Sequence, residues 1–385
     1  MVSESNLISI DTTDVDRWVG VPLGGGQLKE PVHINDIRRW AQGMQNPNPL
    51  YYDEDCAREG VSGELIAPQS FTICTDVGHG ATPAIQGHIP NQHMLFGGDE
   101  WWFFGPRIRP GDTIRQDRML FDYKVTDTKF AGPTMFSRGD TTYIQQTGEL
   151  VAKQRSTSIR YIVANAKELD LFGGNEEKEW SDEEIEQVEK EKAEYYSSFL
   201  DLGHDKRLFV KVGDKLPRRP IGPHTLLTFA TEWRSYTMTV WGSSYSFGAS
   251  STGESGWTPE MSRDPEGEKI DPANSDGLYK GASRGHAQPR WARHIGMPRG
   301  YGYGATMGAW VLDYLTNWSG EHGFVLHSDI KYRFPALTGD LTYLDGEVTN
   351  ITYEDSPIAH VKVSMTTQEG ALMAAGDAEV RLPNE

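Results

Sequence analysis

The residues that could do chemistry gather late in this 385-residue chain, between Asp276 and Arg333. One histidine, His286, stands in a polar loop. Histidine is the side chain whose ordinary pKa lets it take or give a proton near neutrality. Asp276 lies ten residues upstream, in a Gly/Ser-rich stretch. Gly304 opens an apolar helical segment, and a helix N-terminus presents unpaired N–H groups and the positive end of a dipole. Around them stand Arg284, Arg290, Arg293, Arg299 and Arg333, with Lys331. Such a cluster could bind phosphates in an otherwise acidic chain.

The rest of the composition narrows the field. The net charge of −18 argues against nucleic acid as the main partner, because phosphate backbones need a basic surface. A hydrophobic fraction of 37% with 11% aromatics suits a soluble globular protein. No stretch approaches the roughly 20 apolar residues of a membrane span. The first residues lack a basic segment followed by an apolar block, so no secretory signal is expected. Cys56 and Cys74 have no zinc-type spacing and read as free thiols in a reducing cytoplasm. Tyr301-Gly-Tyr-Gly304 lacks the strand, glycine spacing and downstream acid of a dinucleotide loop. Gly281-Ala-Ser-Arg-Gly285 matches the pattern of a nucleophile elbow, but no apolar strand precedes it.

These residues must be positioned by a repeat. Ala57-Arg58 recurs as Ala292-Arg293, each followed by a loop and then an expected apolar helix, over 66–74 and 303–312. Gly111-Asp112 recurs as Gly339-Asp340 before alternating strands. The Gln146-Thr-Gly148 hairpin turn recurs as Gln368-Glu-Gly370. Three matches in one order predict two copies of an α+β unit, each an antiparallel sheet wrapping a buried helix. The first copy spans about 8–162 and the second about 208–383. Between them, 166–205 reads as an acidic, solvated helical linker opened by a Ser181–Glu184 capping box. Asn35 is the expected N-cap of an early helix, and 225–238 the matching helix of the second copy. Residues 242–284 form an insertion of the length expected for a lid or pocket wall.

Ala41-Gln-Gly-Met-Gln-Asn-Pro-Asn-Pro-Leu-Tyr-Tyr-Asp53 and Ile66-Ala-Pro68 resemble the MaoC-like (R)-specific enoyl-CoA hydratases and 3-hydroxyacyl-CoA dehydratases. So do His286-Ala-Gln-Pro-Arg-Trp-Ala-Arg293, Gly296-Met-Pro-Arg-Gly300 and the Gly304 helix start. The likeness covers nearly all of the chain except the linker and the insertion. It implies two tandem hot-dog domains forming a pseudo-dimer, and hydration or dehydration at Cα–Cβ of an acyl-CoA thioester. The family frame is Asp-x-Asn-Pro-x-His-x-Asp. In the first half it puts Asn46 and Tyr51 at the Asp and His positions, so that half reads as catalytically degenerate. In the second half it puts His286 at the His position, Gly281 at the Asp position and Gln288 at the last Asp. Asp276 is the nearest upstream acid. By the resemblance, His286 is the acid/base, with Asp276 beside it, and the Gly304 N–H polarises the thioester carbonyl. The arginines would hold coenzyme A, which enters only as part of the substrate. No metal or redox cofactor is implied, and a homodimer or higher oligomer is expected. An acyl-CoA thioesterase and a non-catalytic acyl-CoA-binding subunit are the alternative readings.

Overall fold

Two Gly-Asp turns set the frame of the fold, and each is tied down in the same way. In a computed structural model that describes residues 7–28, 30–75, 80–173, 175–237, 284–286 and 289–384, Gly111 and Gly339 both take positive φ, at 96° and 81°. Glycine adopts that region without a Cβ penalty. The Gly111 N–H donates to Val32 O, and the Gly339 N–H to His224 O, both at 2.8 Å. Gln146 Nε2 donates to Asp112 Oδ1 at 2.8 Å, and Gln368 Nε2 to Asp340 Oδ1 at 3.3 Å. The two hairpins and the two turns that repeat in the sequence are therefore bonded to each other in both halves.

The helices are α1 (Thr13–Asp16), α2 (Ile34–Gly43), α3 (Glu54–Glu59), α4 (Val163–Leu169), α5 (Asp182–Leu200), α6 (Leu226–Thr237), α7 (Pro289–His294) and α8 (Gly304–Ser319). The strands are β1 (Pro22–Gln27), β2 (Gln92–Phe103), β3 (Ile114–Thr128), β4 (Gly132–Gln145), β5 (Leu150–Ile162), β6 (Lys215–Ile221), β7 (Phe324–Tyr332), β8 (Thr342–Tyr353), β9 (Pro357–Thr367) and β10 (Leu372–Arg381). They form one antiparallel sheet in the order β1-β3-β4-β5-β2-β7-β10-β9-β8-β6. The order reads the same from either end when the second-half strands replace their first-half equivalents. The two halves meet where β2 pairs with β7, with Asp99 opposite Ile330 and Trp101 opposite Ser328. A Cβ at Gly98 would lie 2.5 Å from Ile330 O, so glycine is what allows this close seam.

The helix that the sheet wraps is α8. Every residue from Ala305 to Asn317 is buried. A helix apolar nearly all round has to be enclosed. The matching first-half segment is a short 3-10 helix, Gln69–Thr75, not the apolar α-helix expected over 66–74. Pro68 limits its start, and Gln69 spends its amide across the seam on the backbone of Val325, at 2.9 and 3.0 Å.

Two local expectations change. The N-cap of α2 is His33, not Asn35: the His33 side chain accepts from the Asn35 N–H, and Asp36 closes a capping box. The Ser181–Glu184 box does open α5, but α5 is not simply solvated. Val188, Tyr195 and Phe199 are buried, and the Tyr195 ring stacks on Tyr314 of α8. The linker helix is thus amphipathic and docked. No described helix is long and apolar enough to cross a membrane.

Candidate active site

His286 ends a one-turn 3-10 helix, Arg284–His286, just before α7. Its Nδ1 donates to the Tyr301 carbonyl oxygen at 2.6 Å. A carbonyl can only accept, so Nδ1 carries the proton. Burial pushes the His286 pKa down to about 4, against an opposing effect of that hydrogen bond. At neutral pH the ring is therefore uncharged and Nε2 holds a bare lone pair, as a general base requires.

Two tyrosines flank the imidazole, with ring centroids 4.2 Å (Tyr301) and 4.3 Å (Tyr303) away. Tyr303 is the N-cap residue of α8, and its own side chain makes no cap hydrogen bond. Its opening amides, beginning at Gly304, thus stand one residue from a ring packed on His286. The backbone of 300–302 is held in place by the Gly302 N–H donating to Ala336 O and the Thr338 N–H to Gly300 O, at 2.8 and 2.9 Å. The Trp233 ring of α6 covers Tyr303 at 4.9 Å. The site has aromatic walls.

The first half closes the other side. His93, on β2 and buried, shares a hydrogen bond of 3.3 Å with the Tyr301 hydroxyl. Burial, and then the neighbouring His286 and His294, hold its pKa down to about 3. The Tyr161 hydroxyl donates to Ile295 O at 2.6 Å, and its ring meets His93 edge-on at 5.8 Å. His93, Tyr301 and Tyr303 were not picked out by sequence. The signal was present in Tyr301-Gly-Tyr-Gly304, which leads directly into α8.

The other expected site residues separate. Gly304 begins α8. Asp276 and nearly all of 242–284 lie outside the described residues, as do Gly281 and Gln288. The backbones of Arg284 and Arg290 flank His286 on its two sides in sequence. Arg293 and Arg333 are exposed. Arg299 is not available for phosphates. It is buried, and its guanidinium donates to Thr338 O (2.6 Å), Glu176 O (2.6 Å) and Asp340 Oδ1 (2.8 Å). A planar donor fork this fully engaged is a clamp between the linker and the Gly339-Asp340 turn. Lys331 pairs with Asp329 at 3.2 Å.

The equivalent place in the first half is a buried polar network. Asn46 Oδ1 accepts from Asn317 Nδ2 at 3.1 Å, and Asn48 Nδ2 donates to Asn317 Oδ1 at 3.1 Å. The Asn48 side chain also caps the 3-10 helix Pro49–Tyr51. The Ser70 hydroxyl donates to Asp313 Oδ1 at 2.5 Å. Burial raises the Asp313 pKa to about 6, although Arg219, Ser70 and Asn46 pull it down. Tyr51 is 3% exposed, and burial raises its pKa too. A neutral phenol and an amide supply packing and hydrogen bonds, not a base.

The wrapped helix and the mirrored ten-stranded order define a double hot-dog protein. A MaoC-like dehydratase of known structure superposes over 96% of this chain and 100% of its own, with a TM-score of 0.62 at 15% identity. A Mycobacterium tuberculosis protein described as having a double hotdog fold gives 0.51 over 96% and 98%, at 13% identity. Residues 17–154 match the family model "FAS1-like, dehydratase domain region". A probable enoyl-CoA hydratase alpha subunit from Thermomonospora curvata is 29% identical over 161 residues, covering 38% of this chain and 50% of the relative. The (R)-specific enoyl-CoA hydratase of Aeromonas caviae is 36% identical over 64 residues, covering 17% and 47%. The chain thus spans about half the length of the curated relatives it matches. Within the double hot-dog class, its likeness is to the MaoC-like hydratases and dehydratases, as the sequence motifs indicate.

Proposed function

We propose that the protein is a hydro-lyase acting on acyl-CoA thioesters, adding water to an enoyl-CoA or removing it from a 3-hydroxyacyl-CoA. The observation that carries this reading is the neutral His286, protonated at Nδ1 and not at Nε2, beside the N-terminus of α8. In hydration, Nε2 takes a proton from water as its oxygen bonds to Cβ. The electron pair of the Cα–Cβ double bond shifts toward the thioester oxygen, where the Gly304 N–H holds the developing charge. The imidazolium then delivers that proton to Cα, directly or by way of the Asp276 carboxylate, and the ring returns to its neutral form. This chemistry needs no metal or redox cofactor. The match to an enoyl-CoA hydratase subunit and to an (R)-specific hydratase supports it.

Arg284, Arg290, Arg293 and Arg333 are proposed to hold coenzyme A phosphates. The aromatic walls favour a bulky or branched acyl group. Two free cysteines suit the cytoplasm, and a homodimer is the proposed assembly. The test is a panel of enoyl-CoA thioesters given to the wild type and to His286→Ala. The expected result is loss of enoyl absorbance without release of thiol, abolished in the variant. Equal activity in both proteins would reject His286. Release of free thiol would reject the hydratase reading in favour of a thioesterase.

A further inference from the structure

The three-residue turn that carries His286 has no ladder of its own to fix the ring, so the orientation of the imidazole depends on its neighbours. Tyr301 supplies a carbonyl for Nδ1–H and a ring face 4.2 Å away, and the Tyr303 ring packs at 4.3 Å. Tyr301 is itself held at both ends. Its backbone bridges to Leu337, and its hydroxyl meets His93 Nε2 at 3.3 Å.

We propose that His93, from the first half of the chain, is a positioning residue for His286 and acts through Tyr301. The geometry is a relay of contacts: His93 to the Tyr301 hydroxyl, the Tyr301 ring to the His286 face, the Tyr301 carbonyl to His286 Nδ1. His93 is itself fixed by burial at the start of β2 and by the Tyr161 ring. Without it the buried Tyr301 ring loses its bond to the first half, and the face that the imidazole packs on shifts. The imidazole then tilts about its bond to the Tyr301 carbonyl, which the backbone of 300–302 still holds, and Nε2 no longer points in one direction. The degenerate half would in this way set the base of the other half without touching substrate.

The activity part of this inference rests on the hydratase reading; the structural part does not. The experiment is 15N NMR of the histidine rings in the full-length protein at pH 7, for wild type, His93→Leu and His93→Gln. Enoyl-CoA hydration kinetics are measured on the same samples. Wild type should show His286 as a single tautomer protonated at Nδ1, assigned by its loss in His286→Ala. His93→Leu should keep that tautomer but show a shifted or broadened Nε2 signal, and kcat should fall about tenfold to a hundredfold with KM little changed, as expected for a misplaced base. His93→Gln, which keeps a hydrogen-bonding group for Tyr301, should recover most of both signals. If His93→Leu does not fold, Tyr301→Phe removes only the hydroxyl and should give the same pair of changes. An unchanged Nε2 signal with unchanged kcat in His93→Leu or Tyr301→Phe would overturn the proposal. A wild type inactive on every thioester, with the Nε2 signal still dependent on His93, would sink the hydratase reading and leave the positioning role standing.

Discussion

His286 and Tyr301 are joined twice, by a 2.6 Å hydrogen bond from Nδ1 to the carbonyl oxygen and by ring packing at 4.2 Å. The pair forces one tautomer on the imidazole, while burial keeps it uncharged. The base is then in its working form wherever the pH lies above its pKa of about 4, well below the ordinary histidine value of 6.5. Hydration should stay near its maximum from pH 8 down to about pH 5 and fall only below that. A kcat/KM profile, with stability checked by pre-incubation at each pH, tests this. An acid limb near 6.5 would mean that the working base is another, solvated group.

Removing the imidazole altogether should cost more than misplacing it. General acid–base groups contribute on the order of a hundredfold to ten-thousandfold to rate. His286→Ala should lose kcat in that range at pH 7. Circular dichroism should remain that of a folded protein, which separates loss of chemistry from loss of structure.

Gly304 is held against Phe96 of β2, and an added Cβ would collide with the Phe96 Cβ. Gly304→Ala should therefore cost about 1–3 kcal/mol of stability by overpacking. It should also lower kcat about a hundredfold if the amide it displaces holds the oxyanion. Pairing it with Phe96→Ala removes the collision. Recovery of kcat in the double variant would assign the loss to displacement. No recovery, with stability restored, would count against an oxyanion role for this amide.

The repeat was legible in sequence because its turns are made of residues with few substitutes. Gly111-Asp112 and Gly339-Asp340 need glycine at positive φ, and their Asp and Gln partners recur with them. The location of His286 was legible because a family frame surrounds it. The residues that hold it were not, because their roles come from contacts across the β2–β7 seam. Nothing local to His93 says that it meets Tyr301, 208 positions away. Arg299 shows the opposite failure. Among clustered arginines it looked like a phosphate ligand, and only burial reveals its bonds to Thr338, Glu176 and Asp340. The docking of α5 was hidden in the same way, since its dense charge masks the stripe of Val188, Tyr195 and Phe199.

The first-half network should matter to stability and not to turnover. Asn46 Oδ1 accepts from Asn317 Nδ2 and, at 3.3 Å, from the Asn48 N–H. Asn46→Ala would strand both donors, at a cost of about 1–3 kcal/mol. Chemical denaturation should show that loss, while kcat stays within about twofold of wild type. A large fall in kcat with little loss of stability would restore a catalytic role to this half.

Asp313 gives the sharpest test of that network, because its charge opposes folding at high pH. Its folded-state pKa is about 6, above the ordinary carboxyl value of 3.8, chiefly through burial. For an acid raised in this way, the stabilising contribution is complete below the unfolded pKa and is lost as pH rises through the folded one. Above pH 7 the ionised carboxylate therefore sits in a site that prefers it neutral. Asp313→Asn mimics the protonated form and keeps an oxygen for the Ser70 hydroxyl. The buried Arg219 does not depend on the carboxylate alone, since it donates to Trp310 O and Met44 O at 3.0 Å and to Gln45 O at 3.2 Å. The variant should be more stable than wild type at pH 8 by about 2 kcal/mol. The two stability curves should converge as pH falls from 6 to 4. Urea unfolding at pH 8 and pH 4.5 measures both ends. A variant less stable than wild type at pH 8 would show that Arg219 needs the charge of Asp313 more than the burial of that charge costs.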